Sequence, residues 1–106
     1  MVDEKTIMAE LHIDETEEET ALIKNLIDDA ETLIVGSISS QREINKDYVE
    51  KVNGQVFGRM VRTLVTDLYY DRTLTNGYSK GFRIMMNQLR SEVLMEVERE
   101  EFKPKL

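Results

Sequence analysis

The stretch VEKVNGQVFGRMVRTLVTDL, residues 49–68, decides the fold of this chain. Its apolar residues recur three and four positions apart, which is the spacing that places side chains on one face of an α-helix. These residues are Val49, Val52, Val56, Phe57, Met60, Val61, Leu64, Val65 and Leu68. The polar remainder occupies one narrow face, so the predicted helix is apolar over more than half of its circumference. Such a helix lies at the centre of a small protein or is buried on two sides.

Helical spacing also governs the sequence before this stretch. A short first helix is predicted over about residues 4–11, with Asp3 as its N-cap. The second helix is predicted to begin after Thr16, because Thr16 stands three residues before Glu19, as in a capping box. Its apolar stripe includes Leu33, and Gly36 is predicted to end it. Residues 37–46 are polar and predict a connection.

The remaining boundaries follow from turn residues and charge. The third helix is predicted to start between Asn45 and Val49, and the segment TLTNGYSKG, residues 73–81, predicts a loop. A last helix is predicted from about Lys80–Phe82 to about Glu101. Gly54 and Gly58 lie on one face of the third helix, and we expect them to admit the close approach of another helix.

The predicted fold is therefore all-α, a compact bundle of about four helices in which one N-terminal helix is short and three are longer. The end of the last helix is mostly charged, and we expect it to project beyond the core. The domain division that follows is a helical domain over residues 1–95 and a charged C-terminal extension over residues 96–106.

Composition narrows the classes of function. The chain has 106 residues, which is typical of one domain. It contains no cysteine, which excludes disulfides and thiolate metal sites. No apolar run approaches the roughly 20 residues of a membrane span, and no signal peptide is expected from the acidic N-terminus. A net charge of −7 argues against wrapping of nucleic acid through phosphate neutralisation, although DNA sliding past a surface of like charge is compatible with it.

The ionisable residues do not form a catalytic pattern, so no catalytic residue, metal site or cofactor is predicted. His12 is the only histidine and lacks a nucleophile beside it, which indicates a polar residue at a helix end. One enzyme alternative remains open. Asp67 and Asp71 lie four apart, as in helical nucleotide pyrophosphatases that bind magnesium, and Glu92 is a candidate to face them from the last helix. Those enzymes need a second acidic pair, typically ExxE, on the facing helix. The best other spacing in the chain, Glu15–Glu18–Glu19, lies at a helix start and not at mid-helix.

Most of the positive charge in the middle of the chain falls on the third and fourth helices. The residues are Arg59, Arg62, Arg72, Lys80, Arg83 and Arg90. They indicate either a surface for an acidic partner or nucleic acid, or a solvated face that is balanced by the acids of the second helix. The sequence leaves these alternatives open.

The segment DLYYDR, residues 67–72, is predicted to end the third helix. We expect Leu68 to face the core, Tyr69 to bury its ring, and Arg72 to lie in the last helical turn and pair with Asp28 or Glu31. These three residues, Leu68, Tyr69 and Arg72, are predicted to form a structural latch. The candidate residues for contacts between subunits are Arg59, Arg62, Asp67, Tyr70 and Asp71.

Four segments, taken in order, carry a resemblance to a known family. They are ELHID followed by ETEEE, then ALIKNLIDDAETLI, then LVTDLYYDR, and finally FRIMMNQLR. In this order they resemble the head–tail connector proteins of tailed bacteriophages and prophages, over about residues 5–95. The chain lacks the prolines that many relatives have before the third and last helices. Its segments 37–46 and 73–81 match nothing in the family.

The resemblance implies a mechanical role without reaction chemistry. Such adaptors form a ring of about twelve subunits beneath the portal protein, with head-to-tail contacts. The ring extends the DNA channel and offers a platform for stopper or tail-completion proteins, without sequence-specific DNA binding and without a membrane. The expected location is the host cytoplasm during assembly and then the virion head–tail junction. Portal docking is expected from the charged C-terminal end of the chain, through Glu96, Glu98, Arg99, Phe102 and Lys103. The alternative function is a small acidic helical regulator that binds proteins as a dimer.

Overall fold

The computed structural model describes residues 2–41 and 43–101, and only the backbone of Glu101. Within these ranges the chain forms four helices and no strand: α1 (Glu4–Glu10), α2 (Glu17–Ile38), α3 (Lys46–Tyr70) and α4 (Lys80–Glu101). This confirms the predicted all-α bundle, including the bounds of the last helix.

Side-chain caps begin all four helices, through Asp3, Thr16, Asn45 and Ser79. Asp3 Oδ1 accepts from the Thr6 backbone N–H at 2.8 Å, and Thr16 Oγ1 accepts from the Glu19 N–H at 3.1 Å, as predicted. Only half of the capping box forms, because the Glu19 carboxylate accepts from the Tyr69 hydroxyl at 3.4 Å instead of reaching back to Thr16.

The end of α2 differs from the prediction. The helix continues past Gly36 to Ile38, because Ile38 is buried in the core. One of its C-terminal carbonyls is then satisfied from another element: Arg90 of α4 donates through Nε and Nη2 to the Ser37 carbonyl oxygen at 3.2 and 2.9 Å. A cation at a helix C-terminus also complements the helix dipole. The end of α2 is therefore set by tertiary contacts.

The α3 helix is broken at Asn53, which has φ −155° and ψ 80°. The Asn53 side chain acts as a second N-cap, because its Oδ1 accepts from the Val56 N–H at 3.2 Å. Its amide donates to Glu92 Oε2 of α4 at 2.8 Å. The break divides α3 into a short first segment and a long second segment, and the contact with Glu92 fixes the break against α4.

The long helices pack antiparallel around one core. The Tyr69–Glu19 contact joins the C-terminal end of α3 to the N-terminal end of α2. Tyr48, at the start of α3, donates to Glu100 near the end of α4 at 3.2 Å. The largest side chains with under 2% exposure are Phe57, Phe82, Ile7, Met8, Ile23, Ile34, Met60, Leu64 and Leu89. Leu33 is an exception to the predicted stripe of α2, because it is 41% exposed at the flank of that helix.

The predicted boundary at residue 95 does not coincide with a change in structure. Helix α4 runs through it to Glu101, and Val97 still packs against the core. Because Glu100 accepts from Tyr48, the charged segment remains attached to α3 at least to that point. No helix in the described ranges is long and apolar enough to cross a membrane.

Candidate functional site

The end of α3 places the three predicted latch residues in different environments. Leu68 is buried, and Tyr69 packs its ring partly against the core with its hydroxyl on Glu19. Burial, and then the Glu19 carboxylate, raise the pKa of Tyr69. These two residues tie α3 to α2.

Arg72 does not lie where it was predicted. Helix α3 ends at Tyr70, so Arg72 follows the helix in an exposed turn. It makes no ion pair within the described ranges, and Glu31 lies near Lys46 instead, with a distance of 4.0 Å between Lys46 Nζ and Glu31 Oε1. The helix ends early because Asp71 leaves helical geometry to organise the loop.

Asp71 is the C-cap of α3 and the anchor of the loop that follows. Its carboxylate accepts from the Thr75 N–H at 2.7 Å, from the Thr73 N–H at 3.3 Å and from both threonine hydroxyls. Donation by the Thr75 N–H, followed by the Thr73 hydroxyl, lowers the pKa of Asp71. Asp71 was predicted to serve contacts between subunits, but its side chain is engaged within its own loop.

Tyr70, at the C-terminal end of α3, is a large side chain that is mostly exposed to solvent. It is 71% exposed and packs edge-to-face on Tyr69, with 5.3 Å between ring centroids. An exposed tyrosine that is supported by a half-buried ring is suited to contact with another protein.

The outer face of α3 contains a shallow depression lined by both signs of charge. It is formed by Glu10, Arg59, Arg62, Thr63, Thr66 and Asp67. Arg62 pairs with Glu10 of α1 at 3.4 Å. Burial raises the pKa of Asp67. The structure therefore brings together three of the predicted interface residues, Arg59, Arg62 and Asp67, while Tyr70 follows one turn later.

The acidic grouping of the enzyme alternative is not assembled. Asp71 lies outside the helix, and Glu92 contacts Asn53, which precedes Asp67 by 14 residues or about 20 Å along a helix. In the part of the chain that the structure describes, no three acidic or histidine side chains are placed to share a metal ion.

The predicted basic surface is divided by internal contacts. Arg62 is paired with α1, and Arg90 caps α2.

Gly58 faces the side chain of Val2, with 3.6 Å between Val2 Cγ2 and the position that a Cβ would occupy. In the described ranges the glycine face of α3 therefore receives the N-terminal segment, where we had expected a helix.

The candidate docking residues at the end of α4 lie beside the start of α3. Arg99 donates to both oxygens of Glu96, at 2.6 and 3.2 Å, and Glu98 is exposed. Burial, and then Glu100, raise the pKa of Tyr48. Phe102 and Lys103 lie outside the described residues.

One surface was missed at the sequence level. The outward face of α4 exposes Ile84, Leu94 and Met95, at 58%, 45% and 68%. Ile84 and Met95 are 11 residues apart, or about three helical turns, so they lie on one line. The same count applied to the sequence would have found them outside the stripe formed by Phe82, Met86, Leu89 and Val93.

Comparisons of the chain with family models, with curated proteins and with solved structures gave no significant match.

Proposed function

We propose that this chain is a head–tail connector protein of a tailed bacteriophage or prophage. In this proposal it forms a ring of about twelve subunits beneath a portal protein. The ring extends the DNA channel and carries stopper or tail-completion proteins. The protein would act in the host cytoplasm during assembly and then at the virion head–tail junction.

The observation that carries the proposal is the difference between the two ends of the bundle. Because α3 and α4 are antiparallel, Tyr70 and the loop held by Asp71 lie at one end. The charged residues Glu98 and Arg99 lie beside Tyr48 at the other. A connector needs such polarity, since one end must meet the portal and the other the next component. The order of the four resembling segments supports the same role.

Ring closure needs two different flanks on each subunit, because a head-to-tail contact joins unlike surfaces. The exposed Leu33 on the flank of α2 is one candidate surface. The face of α3 that carries Arg59, Asp67 and Tyr70 is the other. The flank of α2 provides an apolar surface, and the face of α3 provides a surface of mixed charge. The net charge of −7 favours a channel wall past which DNA slides.

Negative-stain imaging of the protein with and without the portal protein of the same genome tests this role. We expect an added ring of density below the portal. Tyr70→Asp should abolish the ring while circular dichroism stays unchanged, because the side chain is exposed. Lys24→Asp, which changes an exposed residue on α2, is the control and should leave the ring intact. Portal particles without added density at saturating protein would contradict the proposal.

A second candidate function is a small acidic regulator that binds other proteins as a dimer. The exposed apolar side chains on the outward face of α4 favour it, because a contact between two equal faces needs only one such surface. A discrete dimer that never assembles on a portal would support this candidate.

A further inference from the structure

The charge of α4 changes sign at its middle. Residues 80–91 contain three basic residues, Lys80, Arg83 and Arg90, and no acidic residue. Residues 92–101 contain five glutamates and one arginine. The helix therefore has a basic half and an acidic half, and two copies laid antiparallel would place opposite charges against each other.

The outward face of α4 has the spacing of a helix-pairing seam. Ile84, Gln88, Ser91 and Met95 follow one another at intervals of four, three and four residues, and all four are exposed. This is the alternation by which one helix packs against another in a coiled coil. Its apolar members stand at the two ends and its polar members in the middle.

We infer that the outward face of α4 binds the same face of a second copy of this chain, in an antiparallel, two-fold symmetric pair. In this register Ile84 packs against Met95 of the second copy, and Gln88 faces its Ser91. Both contacts occur twice because the seam is symmetric about a point between residues 89 and 90. The occupant is a second copy because its own α4 has the required apolar ends and the required reversal of charge.

Charge complementarity selects the antiparallel orientation. Glu98 follows Met95 by three residues and so continues the seam, whereas Arg83 lies beside the seam next to Ile84. Neither residue forms an ion pair within the described ranges. In the antiparallel pair Arg83 approaches Glu98 of the second copy, twice. A parallel pair would set the basic halves against each other and the acidic halves against each other. The guanidinium of Arg83 lies beside Gly77, with 3.7 Å between Arg83 Nη2 and the position that a Cβ of residue 77 would occupy.

The pairing does not rest on the connector role. It uses the outward face of α4, whereas the proposed ring uses the flanks of α2 and α3. Loss of one contact therefore leaves the other to be measured separately.

Sedimentation velocity over a range of protein concentrations tests the pairing. We expect an apparent mass that rises from monomer to dimer with concentration. Met95→Lys should return the protein to monomer, whereas Leu33→Lys, an exposed apolar residue on α2, should leave the dimer unchanged. An apparent mass that Met95→Lys does not alter, whether that of a monomer or of a larger ring, overturns the inference.

Charge exchange tests the register. Arg83→Glu alone and Glu98→Arg alone should each weaken the dimer, and the double variant Arg83→Glu/Glu98→Arg should restore it. Both residues are exposed, so folding should be unaffected. A double variant that is weaker than either single variant would contradict the assigned contact.

The absence of cysteine from the chain allows a direct test of orientation. In the antiparallel pair Ile84→Cys alone cannot form a disulfide, because its two copies are about 16 Å apart along the helices, well beyond the roughly 7 Å limit between Cα atoms. A mixture of Ile84→Cys and Met95→Cys chains should instead form a cross-linked dimer under mild oxidation. Efficient cross-linking of Ile84→Cys alone, with no gain from mixing, would show a parallel pair and overturn the inference.

Discussion

Glu31 is the one charged residue that falls in the buried class within the described ranges. It lies on α2 with 7% of its surface exposed, and the nearest cation, Lys46 Nζ, is 4.0 Å from Glu31 Oε1. Burial raises the pKa of Glu31, and Lys46 offsets only part of the effect. Because the folded protein holds the proton more tightly than the unfolded chain, this residue makes stability fall as pH rises from about 4.5 towards neutrality.

We predict that Glu31→Gln raises the free energy of unfolding at pH 7 by about 1 kcal/mol or less, because it removes a buried charge. At pH 4, which is below the ordinary glutamate pKa of 4.5, the variant and the parent should be nearly equal. Urea unfolding at both values measures the difference. Glu43→Gln, an exposed residue in the connection before α3, should change neither value. A loss of stability at pH 7 would mean that the contact with Lys46 outweighs the cost of burial.

At the scale of the helix, Asn53 has two roles. Its Oδ1 caps the second segment of α3, and its amide donates to Glu92 of α4. The Glu92 carboxylate also accepts from Gln88 Nε2 at 2.9 Å. Hydrogen bonds from Asn53 to its own helix and to α4 thus hold the break in α3 in place. A substitution at residue 53 can remove the contact with α4 and keep the cap.

We predict that Asn53→Asp lowers the free energy of unfolding at pH 7 by about 1 kcal/mol. The aspartate still caps the helix, but it replaces a donor to Glu92 with a second carboxylate. Adding Glu92→Gln should recover the loss, because the glutamine amide can donate to the new carboxylate. A urea-unfolding cycle of the four proteins measures the coupling. Additive effects of the two changes would show that the contact with Glu92 contributes little.

Local chemistry explains which elements the sequence could predict. The starts of α1 and α2 depend on Asp3 and Thr16, whose side chains bond backbone groups three residues away, so short-range spacing suffices. The end of α2 depends on the burial of Ile38 and on Arg90 from α4. These contacts between distant parts of the chain are not visible in local spacing.

In the candidate site, too, the features set by local spacing could be predicted and those set by other contacts could not. Leu68 could be assigned to the core from periodicity, but the place of Arg72 depended on where Asp71 ends the helix. In the sequence, Gly54 and Gly58 predict only the close approach of another helix, and nothing in local spacing marks Asn53 as a break. Its role as a break became visible once Val56 and Glu92 were seen to bond Asn53.

At the scale of the whole molecule, different contacts hold the helices together at the two ends of the bundle. The end near Tyr69 is joined by the core and by a dense loop around Asp71. The opposite end depends on Val97 packing and on the hydrogen bond between Tyr48 and Glu100. A partner that docks at this second end would contact residues that also hold α4 to α3.

Truncation of the chain separates docking from folding. We predict that a chain ending after Val93 loses about 1–2 kcal/mol of unfolding free energy, because it lacks the partly buried Val97 and the contact between Tyr48 and Glu100. A chain ending after Glu101 keeps both contacts and should unfold at the same urea concentration as the full chain. If Phe102 and Lys103 dock on the portal, this second chain should nevertheless fail to bind portal particles in a sedimentation assay. Full portal binding by the chain that ends after Glu101 would exclude Phe102 and Lys103 from the docking surface. Glu96, Glu98 and Arg99 would then remain as candidates, and charge reversal would test them.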